Sequence, residues 1–483
     1  MSSTNDSSIP RRVAIIGAGV FGLSLALTLR RKGHCVAVFD QNAYHETGYR
    51  PSEYSSELAA SVDHNKIFRA SYGKRADYQR LALESRKQWL SLNSSQDIGH
   101  DLFVPCCMLR VQPSSSLGAL EMETLASMER DGVRDTQFVK GDPKDCRRAA
   151  DRGLQHKLLD YFIPDDPEHL PFEAVLDSLA GFTRCADGCN YFRRVAEREG
   201  VVFSLGPEQG RFASLIEETL NSGKKRAIGF MTADQRSHYV DTVVVAAGSF
   251  STQILPTLSY HMESSAGTIV FFKIDPQDKA LWEKYSPENF PVITWKSAPR
   301  GKDGKDIGSV YVLPRTPEGF VKIGYRGIKF TNFQPAPDGA RFTQDGKWSI
   351  PLPSEQCHNI PSGAAEAIRN FVSIFMPDFN NEPFFSTKLC WYTDTLDNSF
   401  LVDYVPMYED DSVFVCTGGS GHGAKFMPVL GEHAADIFEN KEESSTPMRQ
   451  HWRWREDAPR KNGLEDGPGS LRDLNPCRLE RPL

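Results

Sequence analysis

The chain has 483 residues and lacks the features of several protein classes. No uninterrupted apolar run approaches the ~18 residues that are needed to cross a bilayer, so no membrane-spanning segment is predicted. Basic charge is not in excess, since the formal net charge is −7, and this balance argues against nucleic acid or an anionic membrane as a partner. No internal repeat is visible. These exclusions leave a globular protein, and the length of the chain favours two or more domains.

Cysteine is sparse and irregularly spaced, with ten residues in the chain, which excludes a disulfide framework and fits a reducing, cytoplasmic compartment. Cys185 and Cys189 have a spacing near that of metal ligands. No second pair of Cys or His completes a four-ligand set, so no metal site is predicted. The last three residues, 481–483, read Arg-Pro-Leu and match the peroxisomal signal Ser-Lys-Leu poorly, which leaves peroxisomal import as a weak alternative.

Apolar patterns place the secondary structure. Residues 13–40 read as strand, glycine-rich turn, helix and strand. Helices are predicted at 77–92, 116–131, 190–198, 364–375 and 429–439. Buried strands are predicted at 201–203, 239–247 and 413–416, and shorter strands, typical of an antiparallel sheet, at 268–272, 292–295, 309–312 and 320–325.

These elements predict two interleaved domains between two irregular ends. The first ten residues are polar and Ser-rich, and the residues after 440 are charged and have no apolar period. We therefore expect a disordered leader at 1–10, a discontinuous nucleotide-binding domain at 11–98, 170–255 and 395–440, a substrate domain at 99–169 and 256–394, and an extended tail at 441–483.

The turn after the first strand is typical of dinucleotide binding. Gly17 permits the tight turn, Gly19 lets the backbone approach a pyrophosphate, and Gly22 lets the helix pack closely on the strand. The helix N-terminus offers free N–H groups to the phosphates. Asp40 ends the second strand, where it can accept a hydrogen bond from a ribose hydroxyl and would repel a 2′-phosphate, which disfavours NADP. A glycine-rich packing turn is the alternative.

Two later features favour FAD over NAD, which the fingerprint alone does not decide. The strand at 241–247 ends in small residues and Gly248, like a second nucleotide-contact strand. A glycine-rich turn with Gly419, Gly421 and Gly423 follows the strand at 413–416 and leads into a helix. This second helix N-terminus can also accept an anion, and the long ribityl chain of a flavin could use both sites.

The segment KLCWYT at 388–393, taken with these turns, resembles flavin-dependent amine oxidases of the D-amino-acid-oxidase superfamily. More narrowly, the chain resembles the group of monomeric sarcosine oxidase, pipecolate/saccharopine oxidase and fructosyl-amino-acid oxidase (amadoriase). The similarity touches four stretches between residues 12 and 435. It implies an α/β fold with a Rossmann-like FAD-binding domain of the GR2 type, an antiparallel β-sheet-based substrate domain, and a monomer.

The resemblance implies that FAD is covalently bound. In the family, a Cys in this context holds the flavin 8α carbon through a thioether, which assigns that role to Cys390 (an 8α-S-cysteinyl link) and places Lys66 beside the flavin. A thiolate can add to the electrophilic 8-methyl position, and a nearby cation helps the thiol to ionise. Without the resemblance, a single Cys is read as a small buried hydrophobic residue.

The resemblance also assigns three cations to the reaction. Arg69 and Lys425 would anchor the substrate carboxylate, as a bidentate guanidinium and a point charge. Lys322 would activate O2 over the flavin, because a cation stabilises the negative charge that develops on oxygen. For each of the three, the alternative is a solvated surface cation.

One residue departs from the family pattern. Fructosyl-amino-acid oxidases place an acidic residue shortly after the oxygen-activating Lys to bind sugar hydroxyls, and here Arg326 stands at that position. A cation is a poor substitute, so a fructosyl substrate is disfavoured and a second acidic or phenolic group on the substrate is favoured. The aromatic residues that could cover a flat or apolar substrate are Tyr392, Trp391, Trp295 and Phe426.

The sequence thus predicts an FAD-dependent oxidase of secondary amines, N-methyl or N-alkyl amino acids. Hydride passes from the C–H next to nitrogen to flavin N5, and the reduced flavin then reduces O2 to H2O2. The imine product hydrolyses or is trapped by cyclisation, as in fungal secondary metabolism. No residue that deprotonates the amine is evident. Alternatives are a fructosyl-amino-acid or saccharopine/pipecolate oxidase, a flavin dehydrogenase with a protein or quinone acceptor, an NAD-dependent dehydrogenase, and a non-catalytic nucleotide-binding module.

Overall fold

The computed structural model describes residues 9–51, 58–95, 99–161, 172–295, 309–338, 346–455 and 467–480. The helices are α1 (Val20–Arg31), α2 (Tyr44–Thr47), α3 (Ala76–Ser95), α4 (Ala119–Arg130), α5 (Pro143–Asp151), α6 (Cys185–Arg198), α7 (Ser251–Ile254), α8 (Lys279–Lys284), α9 (Ser362–Phe375), α10 (Met427–Asn440) and α11 (Arg449–Trp452). The strands are β1 (Arg12–Ile16), β2 (Cys35–Asp40), β3 (Lys66–Phe68), β4 (Phe103–Val104), β5 (Met108–Val111), β6 (Gln137–Val139), β7 (Ala174–Asp177), β8 (Gly181–Thr183), β9 (Val202–Leu205), β10 (Phe212–Thr219), β11 (Lys225–Thr232), β12 (Ser237–Tyr239), β13 (Thr242–Val245), β14 (Met262–Lys273), β15 (Val292–Trp295), β16 (Val310–Val312), β17 (Phe320–Phe330), β18 (Phe333–Pro335), β19 (Lys347–Ser349), β20 (Ile360–Pro361), β21 (Ser386–Thr395), β22 (Leu401–Tyr404), β23 (Val413–Thr417) and β24 (Leu479–Glu480). Within these ranges no helix combines the length and apolarity that a membrane span requires.

A six-stranded sheet draws its strands from the beginning, the middle and the end of the chain. Its order is β22-β23-β13-β1-β2-β9, and all neighbours are parallel except β22 and β23. Helices α1, α6 and α10 pack together over one face, and the sheet β10-β11-β12 covers the other face through Phe230. Burial on both faces explains why β1 and β13 read as continuous apolar runs.

The second large sheet has eight strands in the order β21-β14-β17-β16-β15-β5-β7-β6. It is antiparallel, as the sequence predicts, except that β15 and β5 run parallel. Strands β14 and β17 are longer than the predicted 268–272 and 320–325, because residues outside the apolar pattern extend β14 at its beginning and β17 at its end. Helix α9 packs against this sheet.

The described part of the C-terminal segment packs against both large sheets. The sequence predicts an extended tail from residue 441, and the structure has α11 and β24 there. Trp452 is buried and its indole N–H donates to the Tyr78 hydroxyl at 2.9 Å, while Arg472 binds Glu263 of β14. Single large side chains anchor this segment, and they leave no periodic signal. Residues 1–8, 456–466 and 481–483 lie outside the described residues.

Candidate active site

A cavity of about 1220 Å³ lies between the two large sheets. Fourteen of the fifteen residues that the sequence assigns to catalysis or cofactor binding line it. They are Gly17, Gly19, Asp40, Lys66, Arg69, Gly248, Lys322, Arg326, Cys390, Tyr392, Gly419, Gly421, Gly423 and Lys425. The exception is Gly22, which packs behind the wall. Trp295 and Trp391 also line the cavity, whereas Phe426 is buried outside the lining.

The turn between β1 and α1 requires glycine for steric reasons. Gly17 has φ +117°, and a Cβ there would lie 2.4 Å from the carbonyl oxygen of Ala246. A Cβ on Gly22 would lie 1.9 Å from the carbonyl oxygen of Gly17. Gly22 therefore lets α1 pack on the turn, and Gly17 lets the turn pack on the end of β13.

Asp40 closes the same turn. Its carboxylate accepts hydrogen bonds from the backbone N–H of Ala18 and of Asn42, each at 2.9 Å. Burial raises the pKa of Asp40, although these hydrogen bonds oppose the shift. The residue therefore shapes the turn in addition to facing the cavity.

The late glycine-rich turn, residues 418–423 after β23, meets the first turn through one aromatic ring. A Cβ on Gly419 would lie 3.1 Å from Cε2 of Phe21, and a Cβ on Gly423 would lie 2.6 Å from the same atom. Phe21 belongs to the first turn of α1. Two motifs that are about four hundred residues apart in sequence therefore form one wall of the cavity.

The residues fit FAD. The cavity is continuous from the glycine turn of β1 to Cys390, so it offers one space for both ends of an extended dinucleotide. The glycines leave the backbone approachable where the fingerprint places a pyrophosphate. On the lining, Thr393 Oγ1 and Trp391 Nε1 are buried and have no hydrogen-bond partner within the described residues, as expected for a wall that faces a polar ligand.

Cys390 lies in the middle of β21, opposite Gly267 of β14. It is half-buried on the cavity wall and, like the other nine cysteines, forms no disulfide. Lys66 interacts electrostatically with it: burial lowers the pKa of Lys66, but Asp63, Cys390 and Cys185 together raise that pKa well above its ordinary value. Lys66 thus lines the same cavity as Cys390, while its Nζ is bonded to Asp63 at 2.7 Å.

Lys322 is buried on β17 and is not the solvated cation of the alternative interpretation. Its Nζ donates to both carboxylate oxygens of Asp63, at 2.8 and 2.7 Å, and to the carbonyl oxygen of Asn65. Asp63 also binds Lys66 at 2.7 Å. Burial lowers the pKa of Lys322, and Asp63 opposes that shift. Sequence reasoning missed Asp63, because an isolated Asp three residues before Lys66 carries no motif.

Arg69 and Lys425 come together from opposite ends of the chain. Lys425 Nζ donates to the carbonyl oxygen of Arg69 at 3.1 Å, and the two cations lie 5.0 and 4.7 Å from the ring centre of Tyr72. Neither forms an ion pair with a carboxylate in the part of the chain that the structure describes. Burial and the charge of Arg69 lower the pKa of Lys425 well below its ordinary value. Such a pair favours an incoming anion.

Arg326 lies near the end of β17, over the ring of Tyr392 at 4.7 Å from its centre. Sequence reasoning missed two neighbours of Arg326, which are Lys329 and Asp394. Lys329 also lines the cavity and binds the buried Asp394 at 3.1 Å. A strict two-residue alternation along β17 would place Lys329 on the face opposite Arg326. The sequence pattern therefore did not predict that Lys329 lines the same cavity as Arg326.

The comparisons with known proteins agree with this geometry. The chain belongs to the FAD dependent oxidoreductase family, which matches residues 12–437. The predicted family, fold class and dependence on FAD are confirmed.

Three similar proteins cover much of the chain. It is 26% identical over 462 residues to L-saccharopine oxidase of Schizosaccharomyces pombe, covering 92% of this chain and 94% of that protein. It is 25% identical over 324 residues to monomeric sarcosine oxidase of Streptomyces avermitilis, covering 66% and 73%. The fold matches a modified fructosyl peptide oxidase from Aspergillus nidulans with a TM-score of 0.75 at 22% identity, covering 97% and 99%.

Proposed function

We propose that the protein is an FAD-dependent oxidase of secondary amines, with N-methyl or N-alkyl amino acids as substrates and O2 as acceptor. The observation that carries the proposal is the pair Arg69 and Lys425, two cations without a carboxylate partner in the described residues, which open into the same cavity as Cys390. The relatives named as oxidases of L-saccharopine and of sarcosine support it, since both names denote secondary amines with a carboxylate.

The chain's own residues would position the substrate. Arg69 and Lys425 bind the carboxylate, and both cations form cation–π contacts with the Tyr72 ring. This anchoring fixes the C–H next to nitrogen, which supplies most of the acceleration in a reaction that needs alignment more than acid–base chemistry. When bound, FAD accepts the hydride and returns two electrons to O2 as H2O2. Lys322 supplies the positive charge that favours this oxygen reduction.

We further propose that Cys390 holds the cofactor covalently. Forming the thioether removes one hydrogen from Sγ and one from the 8-methyl carbon, and O2 carries the two hydrogens away as H2O2. Lys66 lines the same cavity and supplies a positive charge near the site of this step.

Acid precipitation tests the attachment. The purified protein is expected to give a yellow pellet and an intact mass increased by one FAD. Cys390→Ser should give a yellow supernatant, whereas Cys416→Ser, at a buried cysteine that does not line the cavity, should behave like the wild type. A colourless wild-type pellet with an unmodified mass would disprove the covalent link.

A peroxide-release screen tests the reaction. The panel contains sarcosine, other N-methyl amino acids, pipecolate, saccharopine and a fructosyl amino acid, together with the matching primary amino acids. Peroxide from N-alkyl amino acids alone is the expected result, and gel filtration of the same sample checks for a monomer. Turnover confined to primary amines, or to the fructosyl compound, would contradict the proposal.

A flavin dehydrogenase is the second candidate, and the pairing of Lys322 with Asp63 is the observation that favours it, because the neighbouring carboxylate offsets the cation. Anaerobic reduction by substrate, followed by mixing with air or with a quinone, separates the two functions. Rapid reoxidation by air supports the oxidase. Slow reoxidation by air and rapid reoxidation by the quinone supports the dehydrogenase.

A further inference from the structure

Strand β17 contains a bulge beside Cys390. Tyr325 pairs with Thr268 and Phe330 pairs with Ala266, so the four residues 326–329 stand opposite the single residue Gly267. On its other side, Gly267 pairs with Cys390. Bulges redirect side chains, and this one lets both Arg326 and Lys329 face the cavity although their spacing does not follow the alternation of a strand.

Arg326 packs over Gly267 and Tyr392. A Cβ on Gly267 would lie 3.5 Å from Cγ of Arg326 and 3.6 Å from Cε1 of Tyr392, in contact with both side chains. The guanidinium stacks over the Tyr392 ring, 4.7 Å from its centre, and reaches the turn at Gly421, whose carbonyl oxygen lies 3.5 Å from Nη1. Arg326 is thereby held between β21 and the late glycine turn, one strand away from Cys390.

Positive charge is in excess in this corner. Asp394 is fully buried and lies 3.1 Å from Lys329 Nζ but 4.0 Å from Arg326, too far for a hydrogen bond. Asp394 is thus shared by two cations, and the neighbouring carboxylate of Glu263 is bonded to a third cation, Arg472. Arg110, another cation on the cavity wall, is by contrast bonded to two carboxylates, Glu121 and Asp177. A guanidinium has five N–H donors, and Arg326 directs donors into the cavity.

The corner adjoins the Arg69–Lys425 pair across the late glycine turn. Tyr72, which touches both of those cations, has its hydroxyl 3.0 Å from Nδ1 of His422. His422 Nε2 lies 2.9 Å from the carbonyl oxygen of Asn398, and the Asn398 side chain lies 3.5 Å from Lys329 Nζ. The turn therefore separates two cation pairs that open into one cavity.

We propose that Arg326 and Lys329 form a second anion subsite, which selects secondary amines that carry a second carboxylate. The inference rests on the proposed function, in which Arg69 and Lys425 take the first carboxylate. Arg326 offers a planar fork to the second carboxylate and Lys329 a point charge. Asp394 holds the two cations close together when no second carboxylate is bound.

Ligand binding to the flavin-loaded enzyme tests the subsite without turnover. α,ω-Dicarboxylates from succinate to suberate are titrated against their monoamides, and binding is followed by the visible absorbance of the flavin. At the best chain length, the dicarboxylate is expected to bind about 10-fold or more tightly than its monoamide, as for a charge-assisted hydrogen bond. Arg326→Gln and Lys329→Gln should each reduce that ratio. Arg31→Gln, which removes an exposed charge outside the cavity lining, should retain it.

Equal binding of dicarboxylates and monoamides at every chain length would overturn the subsite, and so would a ratio that both variants retain. Lys329→Gln keeps the test decisive if Arg326→Gln does not fold. A turnover assay separates the two proposals, using N-methyl-L-glutamate against N-methyl-L-glutamine. Oxidation of both at the same kcat/KM counts against the subsite alone. Oxidation of neither, with the binding preference intact, supports the subsite and counts against the oxidase.

Discussion

The two ends of the cavity are built from different kinds of sequence. The glycine-turn end uses β1, the turn, α1 and β2, which are consecutive in the chain and end at Asp40. The Cys390 end combines side chains from β3, β17, β21 and the late glycine turn, which are up to several hundred residues apart. The first end is a local structure whose geometry follows from residue order, and the second exists only once the sheets have assembled.

The largest effect is expected at the local end, from Gly22→Ala. The new methyl group would lie 1.9 Å from the carbonyl oxygen of Gly17, and α1 cannot retreat because it is buried against α6 and α10. We expect the protein to lose its flavin or to fail to fold, measured as the ratio of FAD to polypeptide in the soluble fraction.

Gly363→Ala is the matched control for that substitution. Gly363 lies in the first turn of α9, and no atom lies within 4 Å of where its Cβ would be. Alanine there should leave the flavin content unchanged and raise stability by about 0.5–1 kcal/mol. Full flavin content in Gly22→Ala would show that the local turn is less demanding than its geometry indicates.

The same contrast explains what the sequence could predict. The fingerprint predicted the positions of Gly17 and Gly19 in the turn, of Gly22 in the helix and of Asp40 at the end of the second strand, because spacing along one strand–turn–helix unit fixes them. At the other end the candidates came from resemblance alone. Asp63 was missed because its partner Lys322 is 259 residues away, and no local pattern records that pairing.

Secondary structure was likewise predicted well where a local pattern determines it and less well where distant contacts do. Helices with a clear apolar stripe, such as α3 and α9, were predicted within a few residues of their observed ends. Helix α6 begins at Cys185 rather than at 190, because its first turn packs Cys185 and Gly188 into the core despite their poor helix propensity. Tertiary packing thus extended elements beyond what local preference predicts.

Asp63→Asn tests the assembled end and is expected to have the next largest effect. It leaves the buried Lys322 and the partly buried Lys66 without their shared carboxylate, at a cost of about 3–5 kcal/mol. The variant should recover stability as pH rises, because deprotonation removes the uncompensated lysine charges. Denaturant melts across pH measure both changes.

Asp135→Asn is the control for that substitution. It breaks an exposed pair with Arg152 at 2.7 Å and should change the free energy of unfolding by less than about 1 kcal/mol. If Asp63→Asn cost no more than Asp135→Asn, the buried lysines would not depend on Asp63, and the assembled end would be as tolerant as the surface.

Lys425→Met should have a smaller effect, on ligand binding. We expect about 10- to 100-fold weaker binding of a non-oxidisable monocarboxylate such as butyrate, followed by flavin absorbance. The wild type should also lose affinity as pH rises, because burial and Arg69 lower the pKa of Lys425, which then loses its charge at a lower pH than an ordinary lysine.

The pH profile distinguishes the role of the charge from that of the packing. Lys425→Met should bind weakly at every pH, without the alkaline loss. Lys425→Arg keeps its charge throughout and should also lack that loss while binding more tightly than the methionine variant. An alkaline loss that persists unchanged in Lys425→Met would assign it to another group.

The smallest effect is expected from Asp40→Asn, which returns to the local end. The asparagine keeps one oxygen acceptor, so it can still accept from either Ala18 or Asn42, but its NH2 faces the other N–H. The loss of one hydrogen bond, about 1 kcal/mol, is offset because burial disfavours the charge that the substitution removes. In a Cys390→Ser background, which removes the proposed covalent link, Asp40→Asn should raise the Kd of FAD only a few-fold. Asp40→Ala, which loses both bonds, should weaken binding further. If Asp40→Asn released the flavin as completely as Gly22→Ala, the carboxylate charge and not the backbone geometry would hold the cofactor at this end.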